Sequence, residues 1–148
     1  MFDQILGLPA HPLIIHAAVM LTPLLALLAV LYAVLPRFRP YLAWAVVALA
    51  VAAPGAVFAA KESGESLRAA RFAHADGSVA GRIATHQSFA NPLLMSVIGL
   101  GVVALLLVFV RNKAASVVLS VVTVLLAGVA GYYVFRAGDS GARAVWGV

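Results

Sequence analysis

Four histidines, His11, His16, His74 and His86, are the most chemically versatile groups in this chain. His16 lies just inside a long apolar run. The other three lie outside such runs, with all five acidic residues: Asp3, Glu62, Glu65, Asp76 and Asp139. There are no cysteines, which removes disulfides, thiolate-bound zinc, iron–sulfur clusters and covalently attached haem. What remains is imidazole chemistry, and imidazole ligates haem iron, copper and zinc. One ligand set is that of a b-type haem. His11 or His16 and His86 would be axial, Arg71 or Arg82 would meet the propionates, and Trp44, Phe58, Phe89 and Tyr132 would supply the wall. A second set is that of a copper or zinc ion. His16 and Met20 stand four residues apart and share a helix face, and Met95 opens the third apolar run. Imidazole with thioether suits Cu(I), and imidazole with Glu62 or Glu65 suits zinc. Each residue also has an ordinary reading. A histidine at a helix end bonds a backbone carbonyl, and methionines and aromatics fill cores.

The elements that must position these groups are plain in the composition. Of 148 residues, 64% are hydrophobic and 10% charged, against about 45–50% and 25% in a soluble domain. The apolar residues fall into four runs, roughly 13–35, 41–60, 93–110 and 114–135. About 20 apolar residues in a helix cross a hydrocarbon core of roughly 30 Å. Lipid offers the backbone no partners, so the runs must be helices. The expected fold is all-α: one polytopic membrane domain over residues 1–148, two helical hairpins joined by a polar helical linker, 61–91.

The turns after the first and third runs carry only positive charge: Arg37 and Arg39, then Arg111 and Lys113. No Lys or Arg precedes the first run, which argues for a span and not a cleaved leader. It also places these turns in the cytoplasm, with both termini and the histidines extracytoplasmic. The net charge of +5 is then mostly a matter of topology, with lipid and not nucleic acid as the surface met. Ser63-Gly64-Glu65-Ser66 and Asp139-Ser140-Gly141 offer hydroxyls without a nucleophile elbow, and no phosphate loop is present. The middles of the spans lack ionisable residues, which speaks against a transporter.

Ala10-His11-Pro12-Leu13 and Ala90-Asn91-Pro92-Leu93 open the two hairpins alike, with Asn91 an expected N-cap and proline at the first helical position. Thr22-Pro23 and Pro54-Gly55 are expected kinks. Small pairs in the fourth run, Ser116/Ser120 and Ala127/Gly131, suit close helix packing. Within the linker, Glu65–Phe72 reads as a short interfacial helix, with Arg68 and Arg71 toward headgroups. Asp76-Gly77-Ser78 breaks it, and Val79–Gln87 reads as a second helix carrying His86 to the top of the third run.

The opening His11-Pro12-Leu13-Ile14-Ile15-His16 resembles a family of small bacterial membrane proteins known only as domain of unknown function 2231. The resemblance spans nearly the whole chain. It takes in the four spans, a histidine before the third (His86), and the ending Gly138-Asp139-Ser140-Gly141 followed by Ala144-Val145-Trp146-Gly147. Such domains occur joined to Rieske-type iron–sulfur domains, so the resemblance implies a bacterial inner-membrane protein with a redox partner. It favours His11 and His86 as the axial pair. Asp139 stands where some members have histidine, so no third ligand carries over.

Overall fold

In the computed structural model the described residues are 4–5, 8–73 and 77–146. Asp3, His74 and Asp76 lie outside them. Gln4–Ile5 pairs antiparallel with Leu8–Pro9, and all else is helical: α1 (Ala10–Val34), a 3-10 turn (Pro36–Phe38), α2 (Arg39–Arg71), α3 (Gly77–Ser88), α4 (Ala90–Phe109) and α5 (Lys113–Trp146). Four helical segments are long and apolar enough to cross a membrane. With 25 residues, α1 is about 38 Å long at 1.5 Å per residue, enough for a hydrocarbon core of roughly 30 Å. The 33 residues of α2 and 34 of α5 give about 50 Å each, so both run past the apolar layer.

The four long helices form a ring. α1 and α4 each pack against both α2 and α5, and meet each other across the centre. The contact surfaces carry many small residues, Ala18, Ala29 and Ala33 on α1, Ala50, Ala53 and Ala60 on α2, Ala104 on α4, Ala127 and Ala130 on α5, interleaved with larger buried ones such as Leu25, Val46, Val97, Leu100 and Leu107. Lipid gives helices no hydrophobic drive to associate, so tight backbone approach must supply the contact energy. The closest approach is at Gly101, where a Cβ would lie 2.7 Å from the Ala50 carbonyl oxygen. Many other large apolar side chains point the other way. Trp44, Phe109, Val118, Leu125 and Phe135 are each more than 60% exposed, the pattern of a bundle whose outer solvent is hydrocarbon.

The end that carries the basic turns is closed by Arg39. Its guanidinium donates to the carbonyls of Tyr32 (3.1 Å) and Ala33 (3.5 Å) at the end of α1, and to the hydroxyls of Ser116 (3.1 Å) and Ser120 (3.4 Å) on α5. It also lies over the Tyr32 ring. The orphan carbonyls of a helix C-terminus need donors and favour a cation, and Arg39 meets both needs. Ser116 and Ser120 are thus acceptors for Arg39 as well as small residues. Asn112 caps α5 by accepting the Ala115 N–H at 3.0 Å.

Three local expectations change. No separate interfacial helix Glu65–Phe72 exists, because α2 continues unbroken through Arg71. Asn91 is exposed and does not cap α4. The chain passes from α3 into α4 with only Phe89 between, and the Phe89 and Leu93 N–H groups are already bonded to His86 and Phe89 carbonyls. The glycine-rich ending is not a tail but the last turns of α5. Pro23 and Pro54 both lie inside their helices.

Candidate paired-imidazole site

An even number of spans brings both chain ends to one end of the bundle, opposite Arg39. His11 sits in the first turn of α1 and His86 near the end of α3, just before α4. Their ring centroids are 6.4 Å apart, with planes inclined at 70°. Two residues 75 positions apart in the chain therefore meet on the diagonal of the ring.

Each imidazole is held by the neighbouring long helix in the same way. His11 Nδ1 is 3.0 Å from the Ala60 carbonyl oxygen and 3.1 Å from Ser63 Oγ, and Ser63 Oγ donates to the same Ala60 carbonyl at 2.9 Å. His86 Nδ1 is 3.1 Å from Ser140 Oγ, and Ser140 Oγ donates to the Ala137 carbonyl at 3.1 Å. Both serines are buried. Next to each serine is a glycine that lets the ring approach. A Cβ at Gly64 would lie 3.1 Å from His11 Cε1, and one at Gly141 3.1 Å from His86 Cε1. Both are below the usual 3.5–4.0 Å carbon contact.

One tautomer of each ring satisfies all of these bonds. A carbonyl only accepts, so His11 Nδ1 must donate to Ala60. The hydroxyl proton of Ser140 is committed to Ala137, so its oxygen accepts from His86 Nδ1. Each ring therefore carries its proton on Nδ1, and Nε2 keeps a free lone pair. Neither Nε2 makes a hydrogen bond among the described residues. An N–H bonded to a serine or carbonyl is how proteins orient an imidazole that uses its other nitrogen as a ligand. With metal–nitrogen bonds near 2.0 Å, two imidazoles sharing one ion have centroids about 6 Å apart, close to the separation found here.

The other sequence candidates are not brought to this pair. His16 is exposed on α1, its Nδ1 turned back to the Pro12 carbonyl. Met20 and Met95 are 72% and 67% exposed, facing lipid, since the lipid-facing side of a membrane helix has no need of polar groups. Glu62 and Glu65 are held by Lys61, at 3.4 and 2.8 Å. Among the described residues no three His, Cys, Asp or Glu side chains gather as a metal site. The copper or zinc cluster of His16, Met20, Met95, Glu62 and Glu65 is therefore not assembled. Arg71 is exposed at the end of α2. Arg82 lies on α3 near His86, in a cleft with Arg136, Asp139 and Arg143. Asp139 is bonded through both oxygens to Arg143 at 3.0 Å. Of the expected wall residues, Trp44 (74%), Phe58 (52%) and Tyr132 (56%) face outward, and Phe89 lies under Arg136.

Ser63, Gly64, Ser140 and Gly141 are the residues that sequence reasoning left without a role. A signal was present. Ala60-Lys61-Glu62-Ser63-Gly64 and Ala137-Gly138-Asp139-Ser140-Gly141 share the pattern Ala-x-acid-Ser-Gly. It is a truer repeat than Ala10-His11-Pro12-Leu13 against Ala90-Asn91-Pro92-Leu93, because it pairs the partners of His11 with those of His86.

Fold and site together define a class: a four-helix membrane bundle with two buttressed imidazoles meeting at one end. No protein-family model, no curated protein and no solved structure matches this chain.

Proposed function

We propose that His11 and His86 are the axial ligands of a b-type haem in an inner-membrane electron-transfer protein. The observation that carries this reading is the pair of Nδ1-anchored rings 6.4 Å apart, each with a free Nε2. The choice of group follows from the size of the donor set. Zinc asks for four ligands, or three and a water, and no third side chain joins this pair among the described residues. Iron in a macrocycle needs only two axial donors from protein. The ring openings at Gly64 and Gly141 fit the same reading, because they let each imidazole stand upright against a bare helix backbone.

Bound haem would supply one-electron chemistry. The residues of this chain do the rest. Ser63 and Ala60 hold His11, and Ser140 holds His86, fixing ring rotation and raising the basicity of Nε2. The apolar ring of helices beneath excludes water on one side, and the open end gives a redox partner its approach. The resemblance to domains joined to Rieske-type proteins supports such a partner. The basic turns around Arg37, Arg39, Arg111 and Lys113 support a cytoplasmic Arg39 end, with the histidines on the other side.

The test is an absorption spectrum of the protein in mild detergent, oxidised and dithionite-reduced. A reducible Soret band, lost in His11→Ala and in His86→Ala but kept in His16→Ala, is the expected result. A colourless protein carrying stoichiometric copper or zinc would replace haem by a bare ion. A colourless and metal-free one would leave the rings as packing groups. Orientation is tested with a cysteine in place of Arg37. An impermeant thiol reagent applied to intact cells should not reach it, and labelling would invert the topology.

A further inference from the structure

The cleft between α3 and α5 has a composition that the histidine pair does not explain. Its walls include Ser78, Arg82, Thr85, Arg136, Asp139 and Arg143, and it encloses about 630 Å³. Three guanidinium groups face one carboxylate, which leaves the lining two charges positive. Asp139 is committed to Arg143. Arg136 rests on the Phe89 ring, its Cζ 5.1 Å from the centroid. Arg82 and Arg136 have no hydrogen-bond or ion-pair partner among the described residues, so their donors are available to an external anion.

Depth argues for the kind of anion. Arg136 is the first charged residue after the apolar run of α5, directly following Phe135, which is 70% exposed to the surroundings of the bundle. Tyr132 and Trp146, both exposed aromatics, bracket the segment, as aromatics do at a headgroup layer. The cleft therefore opens where phosphate groups of lipid are found. Arginine forks with hydroxyls of serine and threonine recognise tetrahedral phosphoryl oxygens. The cleft also lies behind His86. Ser140 both lines it and accepts from His86 Nδ1, so the cleft is on the side of the ring away from the free Nε2.

We infer that this cleft binds a phosphoryl anion, presented either by an anionic phospholipid headgroup or by free phosphate. The inference does not depend on haem. The test uses full-length protein, delipidated in mild detergent and titrated calorimetrically with two probes, dihexanoyl-phosphatidylglycerol and inorganic phosphate. The comparison proteins are Arg82→Gln/Arg136→Gln, Arg82→Gln alone, and Arg68→Gln, which removes an exposed arginine bonded elsewhere, to Gln87. Far-ultraviolet dichroism and gel filtration establish that each variant is folded. Wild type should bind, and the double variant should lose on the order of tenfold or more in affinity, as expected for two charge-assisted contacts, while Arg68→Gln matches wild type. Binding of the lipid alone assigns the site to a headgroup, and binding of phosphate alone assigns it to a soluble anion. The inference fails if neither probe binds, or if Arg68→Gln weakens binding as much as the double variant, because the attraction would then be diffuse surface charge.

Discussion

Two glycines three residues apart on α5 should respond to alanine in opposite ways. At Gly138 an added Cβ meets nothing within 4 Å. Alanine there should stabilise the helix by about 0.8–1 kcal/mol, the intrinsic difference between the two residues. At Gly141 the same gain applies, but the Cβ would stand 3.1 Å from His86 Cε1 and 3.3 Å from Nδ1. The ring must retreat by about 0.4 Å to reach ordinary contact. The intruding methyl and Ser140 Oγ both meet the same ring, so the retreat stretches the 3.1 Å bond from Nδ1 to Ser140 Oγ toward about 3.5 Å, where little remains of it. Overpacking costs typically 1–3 kcal/mol. Gly141→Ala should therefore sit about 1–3 kcal/mol below Gly138→Ala in stability. Reversible unfolding in mixed dodecylmaltoside–SDS micelles measures that difference directly. Where a cofactor is bound, its affinity should fall in Gly141→Ala and stay constant in Gly138→Ala. Equal stabilisation by the two alanines would refute the placement of His86 against Gly141, and with it the buttressed pair.

Three further outcomes follow from other parts of the structure. Nitrogen-15 spectra of the ligand-free protein should show both His11 and His86 protonated at Nδ1, and an Nε2–H tautomer at His11 would contradict the Ala60 contact. Replacing Arg39 by Gln should cost about 2–3 kcal/mol, since charged hydrogen bonds to the end of α1 and to α5 are lost together. Lysine should not restore it, because one ammonium cannot span two carbonyls and two serines; an Arg39→Lys protein as stable as wild type would sink that account. Alanine at Met20 or Met95 should leave any haem or metal loading unchanged by elemental analysis and spectrum, because both side chains face outward. A loss of loading there would revive the thioether site.

The membrane class was legible in the sequence because it depends on run length and charge alone, which survive any detail of packing. Four runs of about 20 apolar residues admit one solution in lipid. That His11 and His86 share one end of the bundle was legible for the same reason: each stands at the start of an odd-numbered span. Other features depend on which face of a helix looks inward, and uniformly apolar helices carry no amphipathic signal to reveal it. Met20 sat four residues from His16 on one face, yet that face meets lipid. Trp44 and Tyr132 looked like core aromatics, yet both face outward, and the core is built of alanines together with leucines and valines. The glycines at 64 and 141 had no assigned part, because a residue that clears space for a neighbour's ring carries no mark of it in one dimension. Helix length was hidden in the same way. The apolar runs end near Ala60 and Phe135, but α2 and α5 continue for another two to three turns with mixed composition, and those extra turns hold Ser63 and Ser140.

The duplicated Ala-x-acid-Ser-Gly element explains why the histidines meet where they do. A two-fold axis along the bundle would carry α1 onto α4 and α2 onto α5; His11 is in the first turn of α1 and His86 stands at the end of α3, just before α4. Each imidazole is thus buttressed by its own copy of the element. Around the repeated element the two halves differ in charge. Around His11 the single cation, Lys61, is neutralised by Glu62 and Glu65. Around His86 the corresponding position to Lys61 is Gly138, and Arg82, Arg136 and Arg143 surround one acid. Likeness kept in the element and lost in the charge around it is what separate roles would produce: a central site constrained by two matching ligands, and a flanking cleft free to acquire charge in one half alone. If so, changes at Arg82 and Arg136 should alter anion binding without moving the spectrum or the tautomers of the histidine pair, whereas Ser140→Ala, shared by both, should disturb the two together.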